Sequence, residues 1–577
     1  MSKRLFSLCV LPFVLALQGC AEPSENTGAV TDTDVVTTTT PTSAGASDSN
    51  AARAIIVPGG GTYSRKISTS SEETQKFFDQ GLRFAWGFFF PESIASYQQA
   101  ALTDPDHPMP YWGMAHAMGP NPNSRYGGMP DDPKGEGLKA IKMALARIDK
   151  ASPIEAKLID ALYVLYNKDA IADDAERDQA YLAKMRALNA EYPEDGDIAA
   201  LYAASYMSIA RWNYWNINGE PLEETEAVAQ ALEHIMADNL LNPGVLHLHI
   251  HLIEASLTPE RALVSADALE ATVPIAGHVV HMPSHIYVRV GQYDRAIDSN
   301  IRSQVKDKEF AKIWGDLPLP NLGTYPLSHK IHAGHAIDFI RYAATIQGNY
   351  EVAIDAADSL KDMAAHSTMR GYQKNVASPW HLNKIFGKWD KLIGHKPSLD
   401  HSPYIKGLWA YSLGSALANT GDIESARAQL VVLGEIINAP DVNESVVSVM
   451  PVSDLLTIAA HGLEGEIEQA NGDLESAIAA FEAAVAVEDL SNYTEPPAWA
   501  QPMRHYLGAA LLAAGKPNEA EKVYLRDLRW NAENGWSLFG LYQSLAGQGK
   551  EAEADKVFQR YEKAWQHSDT ALTASRM

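Results

Sequence analysis

Cysteine is nearly absent: Cys9 and Cys20 are the two in a chain of 577 residues. A disulfide scaffold needs several pairs, and a Cys-ligated zinc or iron–sulfur centre needs more thiolates than that, so both are excluded. Positive charge is scarce as well. Lys and Arg number 47 against 72 Asp and Glu, for a formal charge of −25. A chain that held nucleic acid through its phosphates would need the opposite balance. Phosphate-cradling loops are missing: Gly59-Gly60-Gly61 follows no strand pattern and has no Lys-Ser/Thr partner. There is no Gly-x-Ser-x-Gly elbow, no free cysteine to act as nucleophile and no His-Glu-x-x-His element. What the chain does have, 46% apolar and 21% charged residues, is ordinary globular composition.

The N-terminus reads as an address. Lys3 and Arg4 precede Leu5 to Leu17, a 13-residue apolar stretch interrupted by Pro12. That is too short to span a bilayer and has the length of a signal-peptide core. It ends Leu17-Gln18-Gly19-Cys20, which resembles the bacterial lipobox, whose cysteine is acylated with palmitate-type chains and becomes the first residue. The competing reading is an ordinary secretory peptide with a chance cysteine. Acyl chains, at about 0.8 kcal/mol per buried CH₂, hold a protein on a membrane surface. Ala21 rather than Asp follows the cysteine. By the sorting rule of enteric bacteria this implies an outer-membrane anchor, with the body in the periplasm. From Ala21 to Ala52 the chain is rich in Thr, Ser, Gly and Asp, too polar to offset its own ordering entropy. The organisation expected is a signal peptide over 1–19, then the lipidated Cys20 and a flexible tether over 20–70. An N-terminal repeat region with a His-rich groove follows over 71–400, and C-terminal repeats over 401–577.

From about Ser71 onward helical periodicity dominates, and a unit recurs. Gly465, Gly472, Ala477, Phe481 and Ala484 have the tetratricopeptide spacing: small residues where two helices cross, glycine at the turn, an aromatic between the helices. The same frame returns at Gly508/Gly515/Ala520/Tyr524, Gly414/Gly421/Ala426/Leu430 and Gly549/Ala554/Phe558. Weaker copies sit at Gly348/Ala353 and Gly291/Ala296, with an early one at Gly81/Ser93/Tyr97/Ala100. The fold expected is all-α, a tetratricopeptide-like solenoid of helical hairpins forming a right-handed superhelix with loop insertions. Those loops are Pro120 to Pro133, Asp316 to Asn321 and Asp489 to Pro497. Each is either a plain connector or part of a binding face.

Histidine is concentrated. Of 19 in the chain, nine fall between His247 and His335. His247 and His251 stand four apart with Glu254 three further on, His281 and His285 stand four apart with His278 three earlier, and His329, His332 and His335 recur every third residue. Such spacings put each set on one helical stripe. Three neighbouring helices facing one groove would bring His247, His251, Glu254, His278, His281, His285, His332 and His335 together. Clustered imidazoles suit a divalent transition metal, zinc or copper foremost. Asp267, Glu270, Tyr287 and Asp338 have the chemistry to orient them from behind. Two other readings stand beside this one: a polar interior in which the rings bond helix carbonyls, and a pH-responsive surface. His116, beside the Pro/Asn loop, with Asn121 and Arg504, are further pocket candidates.

Several stretches resemble one family of bacterial tetratricopeptide-repeat lipoproteins with His-rich central motifs. They are Phe78-Asp79-Gln80-Gly81-Leu82-Arg83, Tyr111-Trp112-Gly113-Met114-Ala115-His116, His247-Leu248-His249-Ile250-His251 with Glu254, and His278-Val279-Val280-His281-Met282-Pro283-Ser284-His285-Ile286-Tyr287. Glu495-Pro496-Pro497-Ala498-Trp499 and Asn534-Gly535-Trp536 fit too. The resemblance implies the repeat fold and marks the same His-rich positions without naming a reaction. The family's His-Asn-x-His element falls on His332-Ala333-Gly334-His335, which lacks the Asn, so His329 is the weaker member of its set.

Two functions follow: a membrane-anchored periplasmic repeat protein with a metal-binding groove, for catalysis or for metal or ligand capture, or a scaffold that binds an envelope protein or peptide and whose histidines are structural. Cys20→Ser should abolish palmitate labelling and release the chain from membranes into the soluble fraction; a variant still labelled would overturn the lipobox reading.

Overall fold

The computed structural model describes residues 53–577, apart from 124–131, 239–240, 316–327, 366–372, 398–401 and 444. The signal peptide, Cys20 and most of the tether therefore lie outside the described residues. Among those described there are 24 α-helices and a single minimal β-hairpin, Val446–Val447 paired with Met450–Pro451. Outside the short helices between 263 and 289, most helices pack chiefly on a sequence neighbour, which makes the fold an all-α series of tetratricopeptide-like hairpins. No described helix is long and apolar enough to cross a membrane.

The repeat spacing acts as expected. In the hairpin of Val452–Ala470 and Leu474–Glu488, Asp473 caps the second helix by accepting the Ser476 N–H at 3.1 Å. Gly472, just before it, has φ +85, a left-handed turn that a side chain would strain. Gly465 faces Phe481, and a Cβ placed there would meet the ring at 2.5 Å. Gly508 stands in the same relation to Tyr524, at 2.3 Å. Gly414 is different: its close neighbour is Leu463 of the following hairpin.

Residues 53–70, assigned above to the tether, are packed. Ala54, Val57 and Ile67 are buried, and the Val57 N–H donates to Gln80 Oε1 at 2.7 Å. Arg83 Nε donates to Gly60 O at 2.6 Å and the Ile275 N–H to Gly59 O at 3.0 Å. This strap ties the Glu72–Trp86 helix to the segment ahead of Gly277. It is held by backbone groups of Gly and Ile that composition cannot single out.

The regular hairpins give way between residues 243 and 293. Pro259, Pro274 and Pro283 interrupt the helical run here, and the long Pro243–Ile253 helix is followed by short ones, among them Leu263–Leu269, Gly277–His281 and Pro283–Arg289. Met282 has helical φ and ψ of −53 and −36, so the last two form a nearly continuous rod. The 22-residue helix Tyr293–Trp314 covers that rod, and Ser328–Ile346 packs on it in turn. Buried apolar residues form two large clusters, one within 54–346 and one within 377–557. The short helices belong to the first.

Gly465→Ala should lower stability by about 1–3 kcal/mol in urea unfolding, because the methyl collides with Phe481. Gly434→Ala is the contrast. Gly434 lies within the Ile423–Ile437 helix with nothing inside 4 Å of its added Cβ, so helix propensity alone should raise stability by up to about 1 kcal/mol.

Candidate metal centre

The Pro243–Ile253 helix is buried on every side. Asn242 caps it, accepting the Val245 N–H at 3.0 Å, and Pro243 opens its first turn. A helix so placed must satisfy its three imidazoles inside the protein. His249 points away from the others, its Nδ1 2.9 Å from Ser265 Oγ and its Nε2 3.3 Å from Glu233. His247 and His251 face the Gly277–Arg289 rod. On that rod His278, His281 and His285 form one stripe about 10 Å long at 1.5 Å per residue.

The stripe is shared between two groups. His247, His251 and His278 bring one ring nitrogen each to within 4.8 Å of one another, and so do His281, His285 and His335. A third grouping of His251, Glu254, His285 and Glu495 meets the same limit and lies between the two. In each three-histidine group an i, i+4 pair on one helix is completed by a residue of a neighbouring helix. His247, His251, His278, His281, His285 and Glu254 are at most 2% exposed. The alternative of a pH-responsive surface is thereby corrected: these rings belong to the core.

Behind His247 and His281, hydrogen bonds fix which nitrogen carries the proton. His247 Nδ1 lies 2.5 Å from the Trp86 carbonyl, which only accepts, so the proton sits on Nδ1 and Nε2 presents a lone pair. Asn300 gives its Nδ2–H to Ala296 O at 2.8 Å, which leaves its Oδ1 to accept from His281 Nδ1 at 2.5 Å. Glu254 holds two more. Its Oε1 is 3.0 Å from His251 Nδ1 and its Oε2 is 2.6 Å from His285 Nδ1, which also touches Glu495. Burial and the neighbouring Glu495 favour a proton on this carboxyl group, and a protonated carboxyl donates to one ring while accepting from the other, so these two contacts place the rings without setting their tautomers.

The inward nitrogens lie against one another. His281 Nε2 and His285 Nε2 are 2.8 Å apart, His247 Nε2 and His278 Nε2 are 3.2 Å apart, and His251 Nε2 is buried without a partner among the described residues. Ring nitrogens grouped this closely make a donor set of the kind a cation can share. Two nitrogens on one tetrahedral ion at 2.0–2.1 Å sit about 3.4 Å apart, close to the second of these separations.

Aromatic rings close the centre. Phe88 lies over the first group, with centroids 4.4 Å from His247 and 5.5 Å from His278. Phe339 lies over the second, 4.5 Å from His285 and 5.1 Å from His335. Phe88 has φ +59 and Trp212, edge-on to His251, has φ +71. A bulky residue in that region costs of order 1–3 kcal/mol, and such strain collects at functional sites. Burial in this apolar shell pushes the His247 and His281 rings down to about 4. Burial, then the charges of neighbouring imidazoles, holds His251, His285 and His335 well below the usual histidine range. Glu254 is raised, first by burial and then by Glu495. At neutral pH these five rings are uncharged, as ligation requires.

Of the eight ligands expected, seven come together. The eighth, His332, lies outside the described residues as far as its side chain is concerned, as does His329. Glu495, on the loop from Asp489 to Pro497, reaches His285 from 210 residues further along the chain; it was quoted for its family resemblance and not as a ligand. The orienting residues are a correction. Asp267 pairs with Arg295 and Tyr287, Glu270 with Arg302, and Asp338 with Arg341 and Lys374. Trp86 O, Asn300 and Glu254 orient the rings instead, and a backbone carbonyl gives no signal in sequence. His116 is outside the three groups, stacked on Trp112 at 5.3 Å and edge-on to Trp86 at 5.2 Å. Asn121 is buried near it in the chain, and Arg504 is held by Asp489 through two bonds of 2.7 and 2.6 Å.

No protein-family model matches this chain, and no curated protein matches it. Among solved structures it is similar to Naa15/Naa10 bound to HypK-THB, with 12% identity, 85% of this chain and 70% of that chain covered, and a TM-score of 0.20. It is similar to the human IFIT1 dimer with m7Gppp-AAAA, with 13% identity, 75% and 86% covered, and a TM-score of 0.30. It is also similar to the APC/C hetero-tetramer Cut9–Hcn1, with 14% identity, 85% and 76% covered, and a TM-score of 0.28. These scores are low, and the fold assignment rests on the chain's own helix pairs.

His116 offers a test of burial. Its ring is pushed down to about 4 by burial alone, against 6.5 when exposed. The unfolded chain therefore takes up a proton that the folded one refuses, and stability present above pH 6.5 falls as the pH drops toward 4. The loss is at most about 3 kcal/mol. His116→Phe should make the stability profile less steep over that interval in denaturant titrations, the remaining slope coming from the other buried histidines; an unchanged slope would show that His116 is protonated in the folded protein.

Proposed function

We propose that this chain is a membrane-anchored helical-repeat protein of the bacterial cell envelope whose core binds a transition metal, zinc or copper, through its clustered histidines. One observation supports the metal above all. Six histidines from three segments bring their ring nitrogens together in two sets of three, each within 4.8 Å, and the outer nitrogens of four of them are held by a carbonyl, an amide and a carboxyl group. The donor set suits metal capture, and it suits hydrolytic or redox chemistry where an ion keeps a coordination position open. The lipobox and the polar tether support the anchored location.

The second reading is an envelope scaffold with structural histidines. Arrays of stacked helical hairpins present extended surfaces to protein partners. The architecture itself favours this reading more directly than it favours any chemistry. The two are compatible, because the centre is buried and the outer faces of the hairpins remain available to a partner.

Elemental analysis of untagged protein, purified without added metal, should find near-stoichiometric zinc or copper. His281→Ala combined with His285→Ala should lose that metal while far-UV circular dichroism stays that of the parent. Metal-free protein that still captures a specific envelope partner in chelator would leave the scaffold reading alone standing.

A further inference from the structure

The groups that approach one another within the cluster do not share their nitrogens evenly. His247, His251 and His278 form one set of three and His281, His285 and His335 another, with no residue in common. Within the first, ring centroids lie 4.9 Å apart for His247 and His251 and 5.0 Å for His247 and His278. Within the second they lie 4.7 Å apart for His281 and His285 and 4.8 Å for His281 and His335. Each set has its own phenylalanine cover, Phe88 or Phe339. The 278–285 stripe serves both, because His278 stands at one end of the rod and His285 at the other.

The third grouping is of another kind. It joins the sets through their outer edges, since Glu254 meets His251 and His285 at Nδ1 rather than at Nε2. A carboxyl group whose two oxygens each hold a ring nitrogen is an orienting group for two ligands at once. Glu254 is suited to that place. It follows the last residue of the Pro243–Ile253 helix, and its own carbonyl is held by Arg289 Nε at 2.8 Å. The carboxylate thus has little freedom to leave its two partners.

We infer that the centre is dinuclear, each three-histidine set taking its own transition-metal ion, with Glu254 as the positioning residue that locks one histidine of each set. This rests on the metal reading above and goes beyond it in number and arrangement. Three neutral imidazoles leave each ion with an open position, as in zinc sites of the catalytic kind. Ring centroids of the two sets come within 5.6 Å at His251 and His285 and 5.8 Å at His278 and His281, so the two ions are neighbours.

Titrating Co²⁺ into the full-length, chelator-stripped protein in detergent, with bound cobalt counted after gel filtration, decides the matter. Two equivalents are expected. His278→Ala and His335→Ala should each keep one tight equivalent, since each variant damages a different set. Glu254→Gln leaves one oxygen to hold the two rings, so one equivalent should weaken 10–100-fold while helical content is unchanged. A plateau at one equivalent in the parent protein overturns the dinuclear assignment and leaves the metal reading intact, whereas no bound cobalt overturns the metal reading itself. Unaltered affinities in Glu254→Gln overturn the role given to that residue.

Discussion

Histidines buried in an apolar core have to find partners there, and the central part of this protein is arranged around that constraint. An unsatisfied buried polar group costs roughly 1–3 kcal/mol, so a cluster of six imidazoles and two carboxyls left to itself would outweigh a large share of a domain's net stability. The outer nitrogens meet the requirement with a backbone carbonyl, an asparagine and a glutamate. The inner ones lie against each other, His281 Nε2 on His285 Nε2 and His247 Nε2 on His278 Nε2. That convergence of ring nitrogens from three segments gives the cluster its chemistry.

The backbone makes this possible by departing from the repeat. Regular hairpins lay long helices side by side and offer each neighbour one stripe of side chains. Between residues 243 and 293 prolines cut the chain into short helices, which turns the Gly277–Arg289 rod so that its two ends serve different neighbours. His278 reaches the Pro243–Ile253 helix, and His281 and His285 reach the Ser328–Ile346 helix. Phe88 is driven into a left-handed conformation after Gly87, and the reward for that strain is a ring placed over three imidazoles. The strap of residues 53–70 holds Gln80 and Arg83 on the helix that carries the Trp86 carbonyl, so it steadies a group that directly orients His247.

The helical-repeat scaffold and the histidine cluster concern different parts of the molecule. Gly465 with Phe481 and Gly508 with Tyr524 keep the C-terminal hairpins closely packed, in a region where left-handed glycine turns recur at Gly421, Gly472, Gly515 and Gly549. The histidine-bearing region has few of these features. A chain built only to present a concave surface would gain nothing from interrupting its hairpins at this point, while a buried centre needs ligands brought in from several directions.

Local rules carried the sequence far. Repeat spacing specifies helical hairpins because a crossing glycine and the aromatic opposite it lie within one hairpin, and i, i+4 spacing places His247 with His251 and His281 with His285 because one turn of helix does so everywhere. Tertiary packing decided the rest. It assigned His278 to the set of the preceding helix, turned His249 away to Ser265 and Glu233, and carried Glu495 from a distant loop to His285. It also chose a main-chain carbonyl and Asn300 to orient the rings in place of the nearer acidic residues. Those outcomes depend on which helices meet and at what angle, a property of the summed packing of the core that no window of neighbouring residues contains.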